Sequence, residues 1–286
     1  MLIDLTRVAE LRVIRADAAA LEVGASVTLA ELAAHTEVAR HYPVVAQAAA
    51  SIAGPTHRQM GTVGGNLCLD TRCIYYNQSE WWRSANQHCL KTTGQICWVA
   101  PKSRGVCYAT FSGDLAPAFL TLDAEVDLAG PHGRRTMPLR DLYIGYARHD
   151  PATGDGKRYL ALQAGELVVA VRVRHAAGLR SAYDKLRIRR SIEYPVAGVA
   201  VALRREGEAL ADLCVAVTGT NPRPVLLEGT ERLCGGPLDA TVYEGLDALV
   251  RDQIMAMKTT FTPGHYRRRV AGVLARRLVQ RLFDQL

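Results

Sequence analysis

A chain of 286 residues, 49% hydrophobic and 22% charged, has the composition of an ordinary globular protein and the length for about two domains. Its formal net charge of +7 is scattered along the sequence, which argues against nucleic acid or a membrane surface as a partner. No apolar run approaches the ~18–20 residues that cross a bilayer, and the opening MLIDLTRVAE lacks the basic and apolar regions of a signal peptide, so a cytoplasmic location is expected.

In chain order, ALEVGA reads as a strand. TLAEL reads as a helix start, with Thr28 and Glu31 at capping-box spacing, and PVVAQAAASIAGP as a helix opened by Pro43 and closed by Gly54 and Pro55. This α/β or α+β unit breaks at the glycine loop HRQMGTVGGN, and a cysteine-rich block follows at once. SGDLAPAFLTLDAEVDLAGPHGRRTMPLRDLY then returns to the earlier style with a short helix, a strand, a turn and another helix. The cysteine block therefore reads as an insertion into a domain that resumes behind it.

Residues 150–158, DPATGDGKR, read as a polar turn or flexible loop. Strand patterns follow in GELVVAVRVR, LRSAYDKLRI, YPVAGVAVALRR and ADLCVAVTGT, and then helical segments at about 238–256 and 264–284. Several strands followed by helices make the second domain α+β, with a boundary near Ala176 to Leu179. In the last segment Val270, Val273, Leu274, Leu278 and Leu282 share one face and leave most of the arginines on the other.

The stretch 68–107 holds five of the seven cysteines. From Cys73 the spacing runs to Cys89, Cys97 and Cys107 with 15, 7 and 9 residues between, so the CxxC pairs of zinc ribbons and bacterial ferredoxins are absent. A reducing compartment favours a metal or redox use over disulfides, but the spacing alone leaves an iron–sulfur cluster, a structural zinc, a disulfide framework and unrelated buried cysteines all open. Tyr75, Tyr76, Trp81 and Trp82 stand beside these thiols and would shield a cluster from water. Cys68 reads as a small buried apolar residue, and Cys214 and Cys234 as core. In the loop itself Gly64 and Gly65 allow backbone N–H groups to approach an anion, and Thr62 and Asn66 offer side-chain hydrogen bonds.

GTVGGNLCLD, SGDLAPAFLTLDAEV, GELVVAVRV, AYDKLRIRRSIEYPVAGVAVAL and PRPVLLEGTERLCGGPLD together resemble the flavoprotein subunits of the xanthine dehydrogenase and CO dehydrogenase family of molybdenum enzymes. The resemblance implies an α+β fold: a PCMH-type FAD-binding domain over 1–176, and a CO dehydrogenase flavoprotein C-terminal-like domain over 179–286. In that family an additional N-terminal piece with an AGGTDL-like loop precedes the part that MLIDLTRVAEL resembles, so the first domain is expected to lack its N-terminal subdomain. The insertion at about 70–112, with NLCLDTRC and YYNQSEWWR, resembles that of the beta subunit of 4-hydroxybenzoyl-CoA reductase.

This second resemblance implies a 4Fe-4S cluster held by Cys73, Cys89, Cys97 and Cys107. Carried over position by position, the family pattern implies FAD contacts from Ile52, Thr62, Val63, Gly64, Gly65, Asn66, Ile74, Asp114 and Lys185, with plainer roles open to Ile52 and Ile74 as core, Asp114 as a helix cap and Lys185 as a surface residue. The implied function is electron transfer: from a ferredoxin-like donor through 4Fe-4S and FAD to a 2Fe-2S subunit and a molybdenum-cofactor subunit, for reductive dehydroxylation to benzoyl-CoA. The alternatives are a zinc-stabilised structural subunit without flavin, and the flavin subunit of a related oxidative molybdenum hydroxylase. No residue of the chain is assigned to the substrate chemistry.

Overall fold

Two antiparallel sheets carry the chain, and the computed structural model describes residues 3–103, 105–145, 154–174 and 178–285 of it. Strands β1 (Ile14–Ala16) and β2 (Ala20–Gly24) form a hairpin that leads into a run of short helices: α1 (Leu29–Ala34), α2 (Thr36–His41), α3 (Pro43–Ser51), α4 (Pro55–Met60), α5 (Val63–Leu67) and α6 (Glu80–Ala85). Helix α7 (Leu115–Leu120) and strands β3 (Glu125–Gly130), β4 (Gly133–Pro138) and β5 (Leu167–Arg174) complete the first unit, whose sheet has the order β1-β2-β5-β3-β4. The second unit is a meander of β6 (Leu179–Leu186), β7 (Ala197–Glu206), β8 (Ala209–Thr218) and β9 (Val225–Leu226), closed by α8 (Ala240–Gln253) and α9 (Gly264–Asp284).

Local signals set several of these boundaries. The Thr28 hydroxyl accepts from the Glu31 amide at 3.1 Å while the Glu31 carboxylate accepts from the Thr28 amide at 2.8 Å, a complete capping box at the start of α1. Pro43 opens α3 as expected, but α3 ends at Ser51 and Pro55 opens the next helix rather than closing the last. The glycine stretch is likewise less of a loop than its composition suggests, since Val63–Leu67 is one turn of helix capped by the Thr62 hydroxyl. Behind the turn at Pro131 the expected helix is a short 3-10 turn at Leu139–Leu142, and strand β4 comes before it; the residues of β4 are all exposed or half-buried, so no apolar alternation marks it. Of the expected loop at 150–158, residues 150–153 lie outside the described residues, as do Ala176 and Ala177 of the expected boundary.

The second sheet is buried on both faces, and its alternation shows what each face meets. Val199, Val201 and Leu203 of β7 and Val215 and Val217 of β8 face the core made with α8 and α9. Ala200, Ala202 and Ala216 point the other way, into the core of the first unit with Val44, Ala48, Leu115 and Phe119 of α3 and α7. Branched side chains fill the side against the long amphipathic helices, whereas alanines let α3 and α7 come close. The apolar stripe expected for α9 is present, with Leu274, Leu278 and Leu282 buried and Val270 and Val273 half-buried. Arg267 departs from the expected polar face: it is buried and donates to the carbonyls of Val196, Met257 and Gly219 and to the Thr259 hydroxyl. Cys214, expected in the core, is exposed on β8. No helix among the described residues is long and apolar enough to cross a membrane.

The small residues on the seam give a direct test. Ala200→Leu places three extra carbons between β7 and α7, where no space exists, and is expected to cost about 1–3 kcal/mol in urea unfolding.

Candidate functional site

The insertion leaves and rejoins the first unit through one antiparallel bridge, with the amides of Arg72 and Thr110 each donating to the other's carbonyl at 2.9 and 2.8 Å. Between these two points the chain carries little apolar material of its own, only a satellite cluster of Cys73, Cys107 and Ala109 with Tyr75, Tyr76, Leu90 and Val99. The second unit holds it from outside. The Ile74 amide donates to the Thr259 carbonyl at 2.9 Å, and the Thr110 and Thr259 hydroxyls meet at 2.6 Å.

Within this frame Cys73, Cys89, Cys97 and Cys107 are buried, unpaired by disulfides, and line one small pocket together with Tyr75, Tyr76, Lys91 and Trp98. Two sulfurs accept from backbone amides, Cys73 Sγ from Tyr76 at 3.3 Å and Cys107 Sγ from Ala109 at 3.4 Å. The Thr92 hydroxyl lies 3.9 Å from Cys89 Sγ but donates to the Cys89 carbonyl at 2.9 Å. Cys97 accepts from Cys107, which pulls its thiol down to about 6, while the same bond and burial push Cys107 far up. Burial raises Cys73. Donors aimed at sulfur favour thiolate, the state that ligates metal.

Among the described residues no three His, Cys, Asp or Glu side chains are placed to hold a single metal ion. A tetrahedral zinc site would draw sulfurs to about 2.3 Å from one point. Four thiols are a donor set that iron takes as readily as zinc.

The other three cysteines stand apart. Cys68 is half-buried against the main core, and burial raises its thiol to about 11. Cys234 packs against the second core. Of the four aromatics expected to shield the thiols, Tyr75 and Tyr76 line the pocket, Trp82 packs tilted on Tyr75 at 6.4 Å, and Trp81 is exposed. Trp98, which donates to the His88 carbonyl at 2.7 Å, takes the remaining place and carried no sequence signal beyond its type.

The flavin-side residues divide between surface and seam. The amides of Val63 and Gly64 donate to the carbonyls of Val27 and Ala25 at 2.9 and 2.8 Å, and those of Gly65 and Asn66 to the hydroxyl and carbonyl of Thr62 at 3.1 and 3.0 Å. These four N–H groups are thus engaged within the fold rather than turned toward an anion. Gly64 is required for packing, since a β-carbon there would lie 2.8 Å from that of Ala25. Gly65 is different: it is exposed, and a β-carbon would meet only the Thr62 hydroxyl, so a planar ligand can approach the backbone there. The surface of Thr62 and Gly65 is therefore open backbone. Val63 is buried, Ile52 is buried at the end of α3 with its carbonyl accepting from Arg58, and Ile74 is half-buried.

Asn66, Asp114 and Lys185 converge in the interior. Asn66 Oδ1 accepts from the Leu115 amide at 3.0 Å and so caps α7 from another helix. Asp114 makes no cap; its carboxylate accepts from the Tyr183 hydroxyl and, at 3.0 Å, from Lys185 Nζ. Neither side chain is more than 4% exposed, so Lys185 is no surface residue. Burial pushes Asp114 above and Lys185 below their ordinary values, and their mutual attraction opposes both shifts. Gly198, on the paired strand, makes room for this: a β-carbon there would collide with the Tyr183 hydroxyl.

Two family models match the chain: FAD binding domain in molybdopterin dehydrogenase over residues 1–175, and CO dehydrogenase flavoprotein C-terminal domain over 181–282. The aldehyde oxidoreductase FAD-binding subunit PaoB of Escherichia coli (strain K12) is 32% identical over 91% of this chain and 79% of its own. The nicotinate dehydrogenase FAD-subunit of Eubacterium barkeri is 24% identical over 100% and 82%. Among solved structures, reconstituted CO dehydrogenase from Oligotropha carboxidovorans superposes with a TM-score of 0.73 at 24% identity over 97% of this chain and 80% of that one. Quinoline 2-oxidoreductase from Pseudomonas putida 86 gives 0.71 at 19% over 98% and 81%, and both share the fold.

The buried pair is open to test by unfolding in urea. Asp114→Asn and Lys185→Met each strand one buried charge and are expected to cost about 3–5 kcal/mol, whereas the double variant costs less than their sum.

Proposed function

We propose the following for a chain that belongs to the FAD-binding flavoprotein subunits of the xanthine dehydrogenase and CO dehydrogenase molybdopterin family: it is an electron-transfer subunit that carries a 4Fe-4S cluster in addition to FAD. The observation that carries the cluster is the one pocket lined by Cys73, Cys89, Cys97 and Cys107, with backbone amides donating to the sulfurs of Cys73 and Cys107. When bound, FAD takes electrons in pairs and an iron–sulfur cluster takes them singly, so such a subunit joins two-electron to one-electron carriers.

This chain's own residues would supply position and surroundings. Tyr75, Tyr76 and Trp98 would keep water from the thiolates. Thr62 and Gly65 would offer the flavin an open backbone face, while Asn66, Asp114 and Lys185 would hold that face through α7 and the seam. The partners are a molybdenum-cofactor subunit and a 2Fe-2S subunit. The relatives' names, an aldehyde oxidoreductase and a nicotinate dehydrogenase among them, favour the flavin subunit of an oxidative molybdenum hydroxylase. The four-thiol insertion supports a second reading: a reductive complex of the 4-hydroxybenzoyl-CoA reductase type, fed by a ferredoxin-like donor whose electrons enter at the cluster.

Anaerobically purified protein is expected to hold about four iron and about four acid-labile sulfide per chain, to lose most of both in Cys97→Ser and to keep them in Cys68→Ser. Zinc in place of iron would sink the cluster assignment. Gly65→Leu, at an exposed position, is expected to fold with a stability change within about 1 kcal/mol yet lose bound flavin absorbance.

A further inference from the structure

Lys91 stands two residues after Cys89, yet its side chain is only 4% exposed, and it lines the same pocket as the four thiols. A lysine at that depth needs partners for its charge. Its ammonium lies 2.8 Å from Asp70 Oδ1, donates to the Thr71 hydroxyl at 2.9 Å and to the Gly156 carbonyl, and sits over the rings of Tyr76 at 5.2 Å and Tyr159 at 4.9 Å. Separate stretches of the chain converge to build this site.

Gly156 ties the ammonium to the thiols. Its φ of +79° is one that glycine favours, and a β-carbon there would lie 2.6 Å from Cys107 Sγ and 3.5 Å from Lys91 Cγ. The residue whose carbonyl accepts the lysine's hydrogen bond therefore packs directly against a sulfur of the pocket. Asp70, the counter-ion, does not line the pocket: its Oδ1 is buried against Lys91, its side chain is 26% exposed overall, and its Oδ2 pairs with Arg72 at 3.7 Å. The cation is in the wall and the anion lies behind it, so their fields do not fully cancel inside the pocket.

We propose that Lys91 is a fixed cation built into the wall of the cluster pocket, which offsets the negative charge of the four thiolates and makes one-electron reduction of the bound cluster easier, with Asp70 as its solvent-side counterweight. This rests on the reading that the four thiolates hold a 4Fe-4S cluster. Lys91 acts here by its charge: the electron comes from an external low-potential donor, no bond is made or broken, and no proton moves. Nearby charge is one of the levers by which a protein sets such a potential.

The test is a dithionite redox titration of the full chain, purified anaerobically in its complex and followed by the electron paramagnetic resonance of the reduced cluster. Iron and sulfide are measured on the same samples. Lys91→Met is expected to shift the one-electron equilibrium at least about tenfold toward the oxidised state, which is about 59 mV more negative. Lys91→Arg keeps the charge and the wild-type midpoint, and Asp70→Asn moves the midpoint in the positive direction. An unmoved midpoint in Lys91→Met with full iron content overturns the proposal while leaving the cluster standing. Should Lys91→Met assemble no cluster, Asp70→Asn decides, and a midpoint that stays or falls there overturns the proposal. Wild-type protein without iron and sulfide overturns the cluster reading instead.

Discussion

The carboxylate of Asp114 is buried at the seam between the two units, where an ionised group without partners would be untenable, and the surrounding structure follows from how its charge is met. Lys185 and the Tyr183 hydroxyl reach it from β6, so the second sheet is fixed in register against the first unit. Asp114 directly precedes α7, and the first amide of that helix is bound by Asn66 of the glycine stretch. One buried charge thus aligns the glycine stretch, α7 and the strand that opens the second unit. The alanines of β7 and β8 permit the close approach, but apolar packing is non-directional and would tolerate sliding. The ion pair supplies direction.

The insertion is organised by a different logic. Its apolar cluster is small, and its attachments are polar: the Arg72–Thr110 bridge at the base, and the contacts of Ile74 and Thr110 with Thr259 at the side. Thr259 is held in turn by the buried Arg267, whose guanidinium binds carbonyls from the β6–β7 connection, the 256–259 segment and the end of β8, and which burial lowers to about 10. On the proposed reading, a segment with so little core of its own would draw stability from the group its four thiols hold, as small metal domains do, and its folding would be coupled to loading of the pocket.

Much of this was legible because the signals were local. The capping box of α1, the apolar stripe of α9 and the apolar run of β7 depend on residues a few positions apart. The grouping of the four cysteines came from resemblance rather than spacing, since loops of 15, 7 and 9 residues constrain little by themselves. What stayed hidden depends on distance in sequence. Nothing near Asp114 indicates that its partners lie at 183 and 185, or that Gly198 is glycine so that a tyrosine hydroxyl can pass. Strand β4 carries no sequence signal because a strand at a sheet edge needs hydrogen-bonding partners rather than an apolar face. Cys214 reads as core from its strand pattern, but Leu213 and Val215 face the helices and the intervening thiol points outward.

Two buried lysines show how the same group serves different ends. Lys185 faces a carboxylate that is itself fully enclosed, so the two charges satisfy each other locally and the product is a rigid seam. Lys91 faces a carboxylate that is partly in water, and screening weakens that anion's reach more than the cation's. On the proposed reading this imbalance leaves net positive charge on the thiol side of the pocket. Gly156, by having no side chain, lets Cys107 and the stem of Lys91 pack against the same stretch of backbone. A polar insertion that loads such a pocket would thereby gather four thiolates, a state that burial of Cys73 and Cys107 otherwise opposes, at a place fixed to both units of the fold.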